Sequence, residues 1–511
     1  MFGTTVGALR KQVDRWAHRT LIVSAEGSIS YGEFYGRVNR LANWLLEHGV
    51  TRGSNVGLLM FNCPELYVSL LAVHRLGAVA NLWNFRLAAA DIHYLAEHTQ
   101  ARAVVFSPEL LHLVEGLRGC ALLATGTEPS REAVSSFREV GDMPDGEPRV
   151  PDPDELDVAS VIYTSGTTGR PKGASYTYRT QLLSAVQYCL EMGLDLGRRG
   201  LSAAPVIHGG ATNFFFAYLF IGGSFIDSGK YSAERVVDLA RAHGATELMA
   251  VPTQILEMLH VVEERGIPAS DFAPLRLIRT AGSPYPKSMV RRIHEAFGCH
   301  LLNTFGMTEN CANVTTMHSG YDSEEAWTSI GKPTYFWDAR VVRLDRTEPE
   351  DVITPPGRGQ LIVRGPQNVE RYYLSDQAPP YRGGWLYARD VVDVNSSGYM
   401  QIVDRLDETI LTGGENVYPQ EVEAVLKSHP LVEDAAVIGL PDPRWGEAVV
   451  AVVVRRSPAV TEEDLEAYCL SSDELARYKR PRRIIFVEEI PKNVFGKVER
   501  YKLRVRYGGQ A

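Results

Sequence analysis

Cysteine is scarce: six residues, at 63, 120, 189, 299, 311 and 469, are scattered through 511. None stands at metal-site spacing from another, so neither a zinc site nor a disulfide framework is implied, which fits a reducing cytoplasm. Positive charge is also short, with 53 Lys and Arg against 62 Asp and Glu and a net charge of −9. That balance argues against a nucleic-acid partner. No apolar run reaches bilayer length. The longest, Phe214 to Ile226, is broken by Gly222-Gly223 and reads as core, so no integral membrane association is expected. Met1 to Trp16 carries Arg10, Lys11 and Arg15 but no apolar stretch of signal-peptide length. Repeats and low-complexity tracts are missing too. So are two nucleotide fingerprints. Counting from Gly166, a P-loop needs glycine where Pro171 stands, and Gly222 to Lys230 has the wrong glycine spacing with Tyr231 in the hydroxyl position. No Gly-x-Gly-x-x-Gly opens a helix after the first strand, which removes a dinucleotide fold.

What is present begins with an ordinary composition, 45% hydrophobic and 23% charged, in a chain too long for one core. Its most informative stretch is Tyr163-Thr-Ser-Gly-Thr-Thr-Gly-Arg-Pro-Lys-Gly-Ala174. Gly166, Gly169 and Gly173 let backbone amides approach a polyanion closely. Thr164, Ser165, Thr167 and Thr168 offer hydroxyl donors, and Lys172 a positive charge. The apolar run Val158 to Tyr163 ahead of them reads as a buried strand. A strand running into such a loop is a means of holding nucleotide phosphates.

Organisation follows from alternation. Ser30 or Ser28 caps a helix whose apolar face continues through Leu41 to Leu46, while Val56 to Met60 and Ala103 to Phe106 read as buried strands. Alternating helices and strands imply a parallel sheet covered on both faces. Residues 125–156, rich in Pro, Glu, Asp and Gly, read as an exposed connection, and residues 327–403 as short strands and turns of a small β subdomain. Three strand-like runs, Ala435 to Gly439, Val449 to Val454 and Ile484 to Val487, with helices near 419–428 and 462–475, form a compact α+β unit. The expected division is 1–404 and 405–511, with a hinge in 404–408.

The loop at 163–174 resembles the signature of the adenylate-forming superfamily of acyl-CoA synthetases, peptide-synthetase adenylation domains and luciferases. Further segments extend the likeness over nearly the whole chain. Asn303-Thr-Phe-Gly-Met-Thr-Glu309 resembles the family's Asn-x-Tyr-Gly-x-Thr-Glu motif, with Phe305 in the usual tyrosine position. The resemblance implies that Asn303, Phe305, Gly306 and Met307 line the adenine site, that Thr308 meets the α-phosphate, and that Glu309 binds Mg²⁺. Thr280 to Pro284, with Ser283, resembles the turn between adenine and the acyl pocket. Asp390 in Tyr387-Ala-Arg-Asp is the implied ribose ligand, although the usual Thr-Gly pair is replaced by Ala388-Arg389. Asp404-Arg405-Leu406-Asp407 resembles the hinge, with Arg405 toward ribose or phosphate and Asp407 as pivot. Gly413-Gly414-Glu-Asn-Val-Tyr-Pro-Gln-Glu421 matches the acyl-CoA synthetase form of the next motif, where two glycines allow close approach of pantetheine. Pro491 to Lys497 resembles the catalytic lysine loop, with Lys497 as the cation, and Pro205 to Ala211 places His208 at the acyl carboxylate. Tyr178 stands where many relatives carry histidine.

The expectation is an α/β enzyme with a large N-terminal domain, a small β subdomain and a small mobile α+β C-terminal domain. It would join a hydrophobic carboxylic acid to CoA through acyl-AMP, using ATP and Mg²⁺. Phe214, Phe215, Phe216 and Met307 point equally to an apolar acid or to core. Two alternatives stand beside this reading. One is transfer to an amine or a carrier-protein thiol; the other is a degenerate adenylate-binding protein without turnover. A cytoplasmic location is expected, and a homodimer is left open.

Overall fold

The computed structural model describes all residues except 1–2, 127–133, 165–170, 282–284, 312, 346–347, 413–414, 473–474, 493–497 and 509–511; the side chains of 164, 407 and 416 are also outside the description. The chain forms two compact units, residues 1–338 with 364–386 and residues 339–363 with 387–511.

The first unit is built on two sheets. The seven-stranded sheet runs 135–136, 121–124, 103–106, 55–59, 79–82, 158–164, 172–177. Its central strands are parallel, as in Val56 beside Ala103 and Ala80 beside Ser160. Strands 55–59, 79–82 and 103–106 are buried at every residue, as expected for strands with helices on both faces. Gly57 is required by packing, because a Cβ there would lie 2.5 Å from the Trp83 ring. The nine-stranded sheet runs 332–333, 315–318, 300–305, 277–281, 247–249, 199–202, 224–226, 20–24, 27–30. Helix Tyr31–Glu47 starts at Ser30, whose hydroxyl accepts from Glu33 N while Glu33 answers to Ser30 N, a reciprocal cap.

The run at 214–226 is core. Helix Gly209–Ile221 is buried nearly all round, and Phe214, Phe215 and Tyr218 pack edge-on against Phe225. No described helix is long and apolar enough to cross a membrane. The connection at 125–156 is less exposed than its composition suggests. Val134, Ser136 and Val140 are buried, and Arg10 reaches Glu147 at 2.5 Å and Asp152 at 2.7 Å. Three small anchors and an arginine on the first helix hold a segment whose polar majority reads as solvent-facing.

In the second unit, strand 385–394 runs antiparallel to 400–405, and 357–364 belongs to the same sheet. A further five-stranded sheet joins 415–417, 410–412, 446–455 and 432–442, with 483–486 parallel to 446–455. Both of its faces are covered. Ala435, Val437, Val449, Ala451 and Val453 enter a core with helices Pro419–Ser428 and Glu462–Ser471. Ala436, Ile438, Val450 and Val452 enter another with Leu503 and Tyr507 of the last helix. The period of two sends alternate side chains to opposite faces.

Candidate active site

Strand Val158–Thr164 turns back as the antiparallel strand Lys172–Thr177, with Thr164 opposite Lys172. Ser165, Gly166, Thr167, Thr168 and Gly169, which stand between these strands in the sequence, lie outside the described residues, as does the Thr164 side chain. Lys172 opens the return strand, and its Nζ sits 5.5 Å from the centre of the Tyr372 ring.

Tyr372 also addresses the other predicted motif. Its hydroxyl donates to Glu309 Oε1 at 2.8 Å. Burial and the neighbouring Glu309 charge raise its pKa, so it remains a donor at neutral pH. Glu309 lies in the single turn Thr308–Asn310, which follows strand His300–Phe305. Asn310 closes that turn by accepting from Met307 N at 2.7 Å. Val369 N donates to Glu309 O at 2.8 Å, and the Tyr176 hydroxyl donates to Thr308 O at 2.8 Å. Thr308 and Glu309 are thus held through backbone and side chain by residues from 172–177 and 364–386. The segment is itself tied down, since Tyr373 N donates to Gly173 O at 2.7 Å. Tyr176, Val369 and Tyr372 carried no spacing signal in the sequence; only pairing of distant strands brings them here.

The remaining adenine-side residues differ in setting. Phe305 is buried at the strand end, and Gly306 and Met307 are half-buried. Asn303 turns inward, its amide donating to Ser329 O at 3.0 Å. Ser283 lies outside the described residues. His208 is half-buried at the start of helix 209–221. Burial, aided by the Arg86 charge, brings its pKa down to about 3, so the imidazole is neutral at pH 7. Gly209 beside it has no room for a side chain, because a Cβ would come within 2.5 Å of the Tyr176 hydroxyl.

In the second unit Asp390 is 5% exposed and pairs across the sheet with Arg405. Arg405 Nη1 lies 3.6 Å from Asp390 Oδ2. Arg389, in the place of the resembled glycine, has φ 62°. The chain keeps a left-handed turn there and accepts the strain of a Cβ. Asp404 is fully buried and accepts from Arg405 N at 2.7 Å and Gln420 N at 2.9 Å. Burial, offset in part by these bonds and by Arg500, raises its pKa to about 6. Arg500 pairs with Glu408 and, at 2.7 Å, with Glu423, and donates to Val437 O at 3.1 Å. Backbone 406–408 forms a single turn; the Asp407 side chain, Gly413, Gly414 and Lys497 lie outside the described residues. Lys492, just before the lysine loop, bonds Asp434 at 2.5 Å and bridges to Val498.

Glu309 fits a hard cation. One oxygen is occupied by Tyr372, and no other hydrogen bond to its carboxylate occurs among the described residues. No group of three or more His, Cys, Asp or Glu able to hold a metal occurs among them either. A Mg²⁺ ion would therefore be shared with phosphate and water oxygens, its usual habit.

Lys172, at the start of a strand antiparallel to 158–164, faces the ring of the same tyrosine that holds Glu309 in the Thr-Glu turn after strand 300–305. Residues 9–373 match the AMP-binding enzyme family and residues 421–497 the AMP-binding enzyme C-terminal domain. The chain is 31% identical to a 2-succinylbenzoate–CoA ligase of Bacillus mycoides, over 95% of each chain. It is 32% identical to a feruloyl-CoA synthase of an Amycolatopsis species, over 96% of each. Among solved structures it matches an anthranilate CoA ligase in complex with anthranoyl-AMP, with TM-score 0.86 and 25% identity over 98% of this chain and 97% of that one. The chain belongs to the AMP-binding enzyme family. By class it is an ATP-dependent, AMP-forming CoA ligase.

Proposed function

We propose that the chain activates an aromatic carboxylic acid as its acyl-AMP and then passes the acyl group to CoA. The observation that carries this reading is the clamped Thr308–Glu309 turn beside Lys172. The aromatic relatives named above support the choice of acid. In the first step a carboxylate oxygen attacks the α-phosphorus of ATP and pyrophosphate leaves. Thr308 and Lys172 receive phosphate oxygens. Glu309 would hold Mg²⁺, which when bound neutralises phosphate charge. His208, neutral at pH 7, shapes the carboxylate end of the site without adding charge. Asp390 and Arg405 are assigned to ribose, and Lys497 supplies the cation for the charge that develops on pyrophosphate. In the second step the CoA thiolate attacks the acyl carbon and AMP leaves. Residues 1–404 bind ATP and acid, while 405–511 reorient about Asp407 so that the 413–421 segment serves the thioester step. No protein nucleophile takes part, so catalysis rests on positioning and preorganised charge.

The test separates the half-reactions. Lys497→Ala should slow ATP–pyrophosphate exchange by about 10²–10³ and leave thioester formation from supplied acyl-AMP nearly unchanged. Equal losses would remove Lys497 from the first step. Thioester formed only when an amine or carrier protein replaces CoA would overturn the acceptor, and absence of exchange with any acid would favour a non-catalytic adenylate binder.

A further inference from the structure

Three arginines are buried among the described residues, and two have carboxylates within ion-pair distance. Arg75 pairs with Glu147 at 3.2 Å and Asp152 at 3.6 Å, and Arg500 with Glu408 and Glu423. The third, Arg279, is 0% exposed, and none of its Nε, Nη1 and Nη2 atoms has a hydrogen-bond partner among the described residues. It stacks on a ring, the guanidinium carbon lying 3.9 Å from the centre of Tyr188, and it feels the charge of buried Glu191 without an ion pair within 4 Å among the described residues. The Tyr188 hydroxyl is likewise buried without a hydrogen bond among those residues. The carboxylate nearby, Glu191, is already engaged, accepting from Gln187 at 2.8 Å and Asn313 at 2.5 Å. A guanidinium does not discharge in proteins, and a buried charge without a hydrogen-bonding counterpart is strongly unfavourable. Glu191 supplies Arg279 with a nearby charge but no hydrogen bond, so the guanidinium donors call for a hydrogen-bonding ligand.

Its place in the fold indicates which ligand. Arg279 stands mid-strand in Leu277–Ala281, in register with Met249 and Leu302. Neighbours in register share a face, and Met249 and Leu302 belong to the core that contains Tyr188 and the phenylalanines of helix 209–221. Arg279 thus enters the layer beneath the helix that begins at His208. It precedes the strand end by two residues, roughly 7 Å at strand rise, and its partner Leu302 precedes Phe305 by three, roughly 10 Å. Ligands of open parallel sheets sit beyond those carboxyl ends, so Arg279 lies behind the reacting group, at the depth of a substrate's far end.

We infer that Arg279 and the Tyr188 hydroxyl bind an anionic group at the distal end of the acid, making the preferred substrate one with a second carboxylate. This rests on the carboxylate-activating reading given above. Phenolate and sulfonate share the chemistry, and the substrate arms separate them.

The test uses the full-length enzyme and acids differing only at the far end: 4-(2-carboxyphenyl)butanoate, its ring methyl ester, and the ring sulfonate and phenol analogues. Wild type should favour the diacid over the ester by at least 100-fold in kcat/KM for pyrophosphate release. Arg279→Leu should erase or invert that preference, and Arg279→Lys should keep part of it. Without any acid, Arg279→Leu should melt at or above the wild-type temperature, because an isolated charge has been removed. The diacid should raise the melting temperature of wild type alone, a readout that needs no turnover. Preference for the ester, equal losses on all acids, or ligand-free destabilisation of Arg279→Leu with no diacid-induced shift in wild type would each overturn the assignment. Higher activity on the sulfonate or phenol would keep the anion site and overturn the second carboxylate. Thioester formed from the ester but not the diacid would sink the Arg279 inference while leaving the ligase reading intact.

Discussion

The Thr308–Glu309 turn is held by neutral donors: the Tyr372 hydroxyl on the Glu309 carboxylate, the Val369 amide on the Glu309 backbone oxygen and the Tyr176 hydroxyl on that of Thr308. Around Asp404 the polar neighbours are mostly charges, with Arg500 set among Glu408, Glu423 and Asp404 itself. The difference follows from what each region has to leave available. The cation role proposed for Glu309 requires that its charge stay uncompensated, so a neutral hydroxyl can orient the carboxylate where an arginine would cancel it. A carboxylate that ties the start of helix 419–428 to the 404–408 turn can be cancelled, and burial demands that it is.

Four changes break or sharpen that contrast. The largest effect belongs to the ionic cluster. Arg500→Met leaves buried Glu423 and Asp404 without their cation, and the second unit should lose about 3–5 kcal/mol. Hydrogen exchange should show strand 432–442 losing protection while strand 55–59 keeps it. Equal loss in both strands would mean that the cluster is not local to its unit.

Two buried groups, one in each unit, should also answer pH oppositely. His74 is fully buried in the first unit, 2.9 Å from the Thr5 hydroxyl and 3.0 Å from that of Ser160, and burial brings its pKa down to about 3. Its folded pKa lies below the unfolded value, so its contribution is complete above about pH 6.5 and fades as pH falls toward 3. Between pH 7 and 5 the first unit should lose about 2 kcal/mol through this residue. Asp404 has the reverse sign: its folded pKa, about 6, exceeds the unfolded one, so protonation below pH 6 relieves a cost. Unit-resolved exchange at pH 7 and 5 checks each sign by difference: His74→Gln should remove a loss on acidification from the first unit, and Asp404→Asn a gain from the second. A variant whose slope matches wild type, or differs in the opposite direction, would refute the sign for its residue.

Removing one neutral donor should cost less. Tyr372→Phe deletes a bond to a charged acceptor worth about 1.5 kcal/mol, or roughly tenfold in the Mg²⁺ concentration giving half-maximal pyrophosphate exchange. An unchanged Mg²⁺ curve, with any loss confined to melting temperature, would make Tyr372 structural only. The smallest effect is a gain. Arg389→Gly should stabilise the second unit by about 0.5–1 kcal/mol, since glycine takes φ 62° without a Cβ penalty. Denaturation midpoints of the two proteins measure it, and a loss would show that the Arg389 side chain contributes more than its backbone costs.

Local elements were legible wherever their chemistry is local. Ala103 to Phe106 is a strand at the expected residues, Ser30 caps its helix, and Pro419–Ser428 is helical. The short strands 410–412 and 415–417 were not foreseen, because three residues carry too little periodicity to read. The site was legible as motifs but not as an assembly. Tyr176 meets Thr308 across 132 positions, and Tyr372 meets Glu309 across 63. Arg279 reads in the sequence as one more charge beside a turn, and its isolation depends on Tyr188 and Glu191 arriving from another helix.

By itself the sequence determined the fold class, most of the element types and the family, since strand periodicity, capping and short motifs act within a few residues. Only the tertiary structure decided which tyrosines hold Thr308 and Glu309, that Asn303 faces inward, that the phenylalanines of 214–216 are core, and that the guanidinium of one buried arginine makes no hydrogen bond among the described residues. Those outcomes turn on strand register and on the balance of buried hydrogen-bond donors and acceptors, and both are settled by residues far apart in the chain.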